Sequence, residues 1–387
     1  MIEADDFIDR AAAYGYDYYA GVPCSFLTPF INTVIDAERL TYVSAANEGD
    51  AVALAAGRAL AGGRAVAMMQ NSGLGNAVSP LTSLNWVFEL PILLIVTWRG
   101  APDVSDEPQH ALMGRITTDM LETMDVPWEF FPDEAEAIDA ALARAEAHMN
   151  ETGRPYCLLM KKNTVAPAEL RESASPSQSR GAITYRPAPR RPVDAPGISR
   201  RDALRDLVAS TDPDNSVIIA STGYAGRELF AVADRPNHLY MVGSMGCAPL
   251  LGLGLASARP DLKVIVVDGD GAALMRLGGM ATLAAYGPTN LAHLLLDNGM
   301  HESTGGQATV SAGLSFGAIA AACGYRTVHE GHERSLIDQL LTGSTQGPAF
   351  AHLHIEPGVD KANLPRPNVS PIDVRTRLMA HIGAGGS

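Results

Sequence analysis

Two short apolar runs, residues 264–267 and 292–296, each end in a polar glycine turn. The first is followed by Asp268-Gly269-Asp270-Gly271-Ala272 and the second by Asp297-Asn298-Gly299-Met300. Runs this short and this apolar read as strands buried on both faces. Residues 272–286 between them can form the crossover helix of a βαβ unit, which makes the two strands parallel neighbours. Open α/β sheets bind ligands at the carboxyl ends of such strands, and Asp270 and Asn298 fall there. A carboxylate and an amide oxygen are hard donors that suit Mg²⁺ better than a transition metal. Gly269 and Gly271 let backbone amides approach a diphosphate at the helix start, with the metal offsetting its charge. Asp-Gly and Asn-Gly are ordinary turn formers on their own; their pairing one βαβ unit apart is what points to a site.

Further runs at 18–22, 65–69, 92–97 and 156–160, and again at 217–220, 264–267, 291–296 and 349–355, alternate with helical stretches. That alternation predicts an α/β chain with two doubly wound parallel sheets. The boundaries expected are a first domain over 1–172, a linker over 173–197, a second domain over 198–382 and a disordered tail over 383–387. Pro176, Pro187, Pro189, Pro192 and Pro196 mark the linker as extended. A length of 387 residues leaves room for two full cores. The net charge of −14 argues against nucleic acid as a partner but permits an anionic ligand held by a few local cations. Cys24, Cys157, Cys247 and Cys323 are widely spaced, the N-terminus is acidic, and no apolar run is long enough to span a bilayer. A reduced, cytoplasmic setting without a membrane partner is the expectation.

In the first half, Ala45-Ala46-Asn47-Glu48-Gly49-Asp50-Ala51 opens an alanine-rich helix over 51–61. A carboxylate in a first helical turn is favoured by the helix dipole. In the second half, Gly243-Ser244-Met245-Gly246-Cys247-Ala248-Pro249 precedes a glycine- and alanine-rich helix over 250–258. Together with the Asp270–Asn298 pair, these segments resemble the thiamin-diphosphate enzymes. The resemblance implies that Glu48 hydrogen-bonds the cofactor's pyrimidine and promotes the tautomer that activates its thiazolium carbon. It implies that Gly243, Ser244 and Met245 lie against the cofactor, with Met245 wedged between its rings, while Gly269, Asp270, Gly271 and Ala272 hold the diphosphate. Asp270, Asn298 and the backbone carbonyl of Met300 would ligate the Mg²⁺. Many members have two asparagines at the second motif; here Asp297 takes the first place. The resemblance also implies a homo-oligomer, at least a dimer, with the active site between subunits.

Further strings narrow the likeness: Gly21-Val22-Pro23, Met69-Gln70-Asn71-Ser72-Gly73-Leu74-Gly75-Asn76, Trp98-Arg99-Gly100, Asp106-Glu107-Pro108-Gln109-His110 and His301-Glu302-Ser303-Thr304-Gly305-Gly306-Gln307. They look like the phosphonopyruvate decarboxylases and, more loosely, the sulfopyruvate decarboxylases. The linker alone separates the two domains, so no middle domain of the larger 2-oxo-acid decarboxylases is expected. The likeness implies conversion of 3-phosphonopyruvate to phosphonoacetaldehyde and CO₂, in phosphonate and antibiotic biosynthesis, with the cofactor as electron sink. A small anionic 2-oxo acid needs cationic partners, for which Arg99, His110, Arg115, Lys161, Lys162 and His301 are candidates. His110 and His301 could also relay protons beside Glu48. Asn71, Ser72 and Gln307 offer neutral donors, and Cys24 stands where many relatives carry an aspartate. The alternatives are a sulfopyruvate decarboxylase or another 2-oxo-acid decarboxylase of acetolactate-synthase type. A nucleotide-dependent oxidoreductase would need a Gly-x-Gly-x-x-Gly turn that the chain lacks. A non-catalytic partner subunit sits badly with Glu48, Asp270 and Asn298 all being present.

Overall fold

The computed structural model describes residues 1–102, 104–171, 182–187, 197–342, 346–359, 364 and 366–384. They divide into two compact units, Met1–Pro176 and Ser177–Ser387. In the first, β1 (Tyr16–Gly21), β2 (Thr41–Ser44), β3 (Arg64–Gln70), β4 (Leu93–Thr97), β5 (Trp128–Phe130) and β6 (Tyr156–Met160) form one sheet. Its order is β2-β1-β3-β4-β6-β5, and every pairing is parallel. The helix Ala4–Ala13 turns Phe7, Ile8 and Ala11 inward at helical spacing. Phe7 stacks on Phe131 with ring centroids 4.6 Å apart and meets Phe30 edge-on at 5.6 Å.

The helix Glu48–Leu60 starts three residues before the expected Ala51, because the Asn47 side chain caps it by accepting from the Gly49 amide at 2.9 Å. Apart from Glu48 and Arg58, every residue of this helix is buried. Its run of alanines and glycine lets it lie flat against the sheet.

The second unit holds β7 (Thr184–Arg186), β8 (Ser216–Ala220), β9 (His238–Tyr240), β10 (Lys263–Gly269), β11 (Leu291–Asp297), the hairpin strands β12 (Met300–His301) and β13 (Gln307–Ala308), β14 (Thr327–Gly331) and β15 (Ala349–His354). Seven of them make a second parallel sheet, ordered β7-β14-β15-β11-β10-β8-β9. The chain leaves β8 toward one edge and β10 toward the other, so a topological switch point lies between those two strands. No third domain appears among the described residues.

Two expectations are modified. Part of the predicted linker is not an extended strap: Thr184, Tyr185 and Arg186 pair with β14 as a sheet edge, while most of 173–197 lies outside the described residues. The predicted crossover helix is broken into Asp270–Met275 and Gly278–Tyr286, with Arg276 leaving helical geometry at φ −134°. Gly278 and Gly279 make a continuous helix costly at that point. In the predicted tail, Ala384 donates its amide to Met379 at 2.7 Å, and residues 385–387 lie outside the described set. No helix among the described residues is long and apolar enough to cross a membrane.

Candidate active site

A cleft of ≈ 70 Å³ opens at the carboxyl ends of β8, β10 and β11, walled by residues 221–225, Met245, residues 268–272, Asn298, Met300 and His301. Asp270 is the first residue of the helix behind β10 and is 3% exposed. Burial pushes its carboxyl above the usual carboxylate range; the charge of Asp297 adds to this, against a hydrogen bond donated by Thr309. No basic side chain among the described residues pairs with it. Asp268 is fully buried; one oxygen accepts from the Gly269 amide at 3.0 Å, and the other makes no hydrogen bond but lies 3.7 Å from His293 Nε2. The Asn298 oxygen accepts from the Met300 amide at 3.2 Å, while its buried amide nitrogen is unpartnered. The buried Asp270 carboxylate and the Asn298 amide oxygen, with no basic side chain among the described residues paired to them, form a donor set suited to a hard metal ion.

A Cβ on Gly271 would fall 2.4 Å from His301 Cε1 and 3.3 Å from Met245 Cε, so only glycine leaves that backbone open. Gly269 differs from expectation: a Cβ there would meet nothing within 4 Å, so no protein atom demands glycine. Met245 reaches the cleft from a tight turn in which Ser244, at φ 51°, and Gly246, at φ 88°, are left-handed. A Cβ on Gly246 would lie 2.8 Å from the Ala272 carbonyl, which fixes the turn against the helix start. Met245 and Ala272 line the cleft, whereas Gly243 and Ser244 are not part of its lining.

Asp297 faces away from the cleft. One oxygen accepts from the Gly299 amide at 2.9 Å and Ser311 Oγ at 3.0 Å; the other lies 3.0 Å from His352 Nε2. His352 Nδ1 is 3.1 Å from Glu330, which also accepts from Tyr185 at 2.7 Å and Ser315 at 2.8 Å. Burial alone would raise the Asp297 carboxyl, but His352 holds it below its usual range; His352 is raised, its carboxylate partners overcoming burial. An aspartate in this place is thus matched to a buried histidine whose charged form its two carboxylate neighbours favour. Sequence reasoning missed this row, although two histidines in the apolar run of β15 were a signal. It also missed Arg200, which lines the cleft 8% exposed and pairs with Glu228 at 3.1 Å and Glu302 at 2.5 Å.

In the first unit, half-buried Glu48 accepts from Asn76 at 2.8 Å and packs against Gly73, where a Cβ would fall 2.4 Å from Glu48 Cγ. Two expectations are corrected here. Arg99 is not a free cation: it grips Asp106 through two hydrogen bonds of 2.7 and 2.5 Å and bonds Ser25 at 3.1 Å. The Asp106 carboxyl is held well below its usual range by that guanidinium. Asn71 is fully buried and gives both amide hydrogens away, to the Arg99 carbonyl at 2.8 Å and Thr117 at 2.9 Å. It braces the loop and has no donor left for a ligand.

The other candidates scatter. Ser72 is exposed and bonded by Gln70; Cys24 Sγ sits 3.2 Å from Thr97 Oγ1; His110 is 7% exposed with its Nδ1 unpartnered. Arg115 and Lys162 are exposed, and Lys161 lies over the Phe130 ring at 3.6 Å. Gln307 is exposed and bonded within its hairpin to Thr304 at 3.0 Å. The structure therefore gathers Met245, Gly269, Asp270, Gly271, Ala272, Asn298, Met300 and His301 around one cleft.

Residues 3–123 match the thiamine pyrophosphate enzyme N-terminal TPP binding domain, and residues 221–353 match the C-terminal TPP binding domain of the same family. The chain belongs to the thiamine pyrophosphate enzyme family, among its decarboxylases. It is 44% identical over 384 residues to the phosphonopyruvate decarboxylase of Streptomyces viridochromogenes, covering 99% of this chain and 95% of that one. It is also 40% identical over 145 residues to the sulfopyruvate decarboxylase subunit beta of Methanothermobacter thermautotrophicus, covering 38% of this chain and 76% of that subunit. Among solved structures, the benzoylformate decarboxylase of Polynucleobacter necessarius superposes with a TM-score of 0.69 at 13% identity, covering 92% of this chain and 99% of that chain, which shows the shared fold.

Proposed function

We propose that this chain decarboxylates 3-phosphonopyruvate to phosphonoacetaldehyde and CO₂, using thiamin diphosphate and Mg²⁺, within phosphonate biosynthesis. The observation that carries the reading is the cleft at the β8/β10 switch point, whose buried Asp270 carboxylate pairs with no basic side chain among the described residues, in a chain so similar along its length to a phosphonopyruvate decarboxylase. When bound, thiamin diphosphate supplies a cationic ring that accepts the electron pair left by departing CO₂. Asp270, Asn298 and the Met300 carbonyl would hold the Mg²⁺, which removes the cost of keeping Asp270 ionised in a buried place. The Gly271 backbone stays open to the diphosphate because no side chain intervenes, and Met245 shapes the adjoining wall. Glu48 would hold the activating proton on a carboxylate oriented by Asn76. His301, beside Gly271, would answer the substrate's carboxylate, and His110, Cys24, Ser72 and Gln307 complete the assignment around the substrate. The assembly proposed is a homo-oligomer of at least two chains, in which one subunit's Glu48 serves another's Asp270 cleft.

The test is CO₂ release from phosphonopyruvate, sulfopyruvate and pyruvate by the purified protein with thiamin diphosphate and Mg²⁺. Phosphonopyruvate should give the highest kcat/KM. A higher value with sulfopyruvate would displace the substrate assignment, and no CO₂ from any of the three would remove the activity itself.

A further inference from the structure

Beside the cofactor cleft lies a larger cavity of ≈ 450 Å³ whose walls include Thr222, Gly223, Arg227, Val242, Ser303 and Arg366. Thr222, Gly223 and Ser303 also line the cofactor cleft, so the two spaces share a wall. Their charges are opposite in kind. The cofactor cleft has Asp268, Asp270 and Glu302 in its lining, and its one arginine, Arg200, is paired with Glu302 and Glu228. Among the described residues the larger cavity has Arg227 and Arg366 in its lining and no carboxylate.

Among the described residues neither arginine has an acidic partner. Arg227 is half-buried on the helix Tyr224–Val232, and its guanidinium lies 5.8 Å from the Tyr224 ring centre. The nearby Asp234 is taken by Arg377 at 2.8 Å and by the Tyr240 hydroxyl at 2.9 Å. In a chain of net charge −14, a half-buried and an exposed guanidinium lining one cavity without an acidic partner among the described residues favour an anion there. The size of the substrate fits this arrangement. The phosphonate of phosphonopyruvate is one methylene away from its keto carbon, so its binding groups must stand immediately beside the reacting centre. Arg99 does not meet the need, since Asp106 already neutralises it.

We propose that Arg227, assisted by Arg366, is the subsite for the substrate's phosphonate; this rests on the decarboxylase reading above. Arginine suits the task because its planar fork matches a tetrahedral oxyanion in two hydrogen bonds. Thr222 and Ser303 supply hydroxyl donors on the wall that faces both spaces.

Arg227→Gln and Arg366→Gln should each lower kcat/KM for phosphonopyruvate by about 10- to 100-fold, chiefly by raising KM, as expected for loss of a charge-assisted hydrogen bond. The ratio of efficiencies for phosphonopyruvate over pyruvate should fall by a similar factor, and Arg227→Lys should recover part of it. Calorimetric titration with phosphonoacetate, an unreactive acid with the same tail, should show weaker binding to Arg227→Gln than to the wild-type holoenzyme. An unchanged phosphonopyruvate-to-pyruvate ratio in both glutamine variants overturns the subsite while leaving the activity standing. A wild-type enzyme that turns over only other acids overturns the functional reading; equal phosphonoacetate affinity in wild type and variant then overturns the subsite as well.

Discussion

Adding one methyl group at Gly73 tests whether Glu48 must sit where the fold places it. Gly73 has φ −74° and ψ −13°, a conformation that alanine adopts without strain, so the effect of Gly73→Ala is purely steric. The new Cβ would lie 2.4 Å from Glu48 Cγ and 2.5 Å from its Cδ, whereas carbon atoms in contact settle at ~3.5–4.0 Å. The carboxylate must therefore move by about 1 Å, which also strains its 2.8 Å bond from Asn76. A displacement of about 1 Å at a positioned catalytic group costs roughly 10²-fold in rate, and overpacking costs ~1–3 kcal/mol of stability. Gly75 in the same segment is the control, because a Cβ there would meet nothing within 4 Å. Gly75→Ala should keep turnover within about twofold and gain up to ~1 kcal/mol in stability from its better helix propensity. The assays are steady-state decarboxylation, hydrogen exchange at the thiazolium carbon and thermal melting of both variants. A folded Gly73→Ala enzyme that exchanges and turns over like wild type would show that Glu48 is not held to a tolerance of this order.

Asp270→Ala should abolish metal-dependent cofactor binding while the β10 and β11 core stays folded; calorimetric titration with thiamin diphosphate and Mg²⁺ decides it, and unchanged affinity refutes the assignment. Glu48→Gln should bind cofactor yet lose on the order of 10²–10⁴ in thiazolium exchange; wild-type exchange in that variant would end the role given to Glu48. Mixing inactive Glu48→Gln and Asp270→Ala chains should restore part of the activity in hybrid oligomers, whereas an active monomer in sedimentation would exclude the shared site. Because the His352 pKa is raised in the folded state, its contribution is complete below the ordinary histidine value of ~6.5 and is lost as pH rises through the folded value. Apoenzyme melting temperature should thus decline as pH rises above the ordinary histidine value. His352→Gln should flatten that decline and remove ~3–5 kcal/mol at acid-neutral pH by unpairing buried carboxylates; parallel slopes in the two proteins would argue against the ion-pair row.

The legible parts of the chain were those where chemistry is local. β3, β4, β6, β8, β10, β11 and β15 are apolar runs bounded by turn residues, and Asp270 and Asn298 close two of them. β2 is a half-exposed edge, β5 and β9 have three residues each, and β14 carries His329 and Glu330; none offers a continuous apolar signal. Arg99 was misread because its partner Asp106 lies in a loop, and only the folded loop brings the two together. Arg200 and Arg227 were passed over for the opposite reason. Arg200-Arg201-Asp202 reads as a solvated helix start, and Arg227 reads as one half of an Arg-Glu pair of neighbours on a short helix. Burial beside a cleft is a property of the packing of distant strands.

Tyr185 belongs by composition to the linker, but by hydrogen bonding it belongs to the second sheet, where it holds Glu330 at 2.7 Å. This decides how the chain could be divided into two polypeptides, a question raised by the sulfopyruvate decarboxylase subunit beta that matches 38% of it. A break placed ahead of Thr184 would hand the second piece a finished sheet edge. A break placed just before Ile198 would leave β14 bare and one side of the Glu330–His352–Asp297 row without its hydroxyl. The seam between the two halves therefore lies ahead of Thr184, in keeping with the division of the compact units after Pro176.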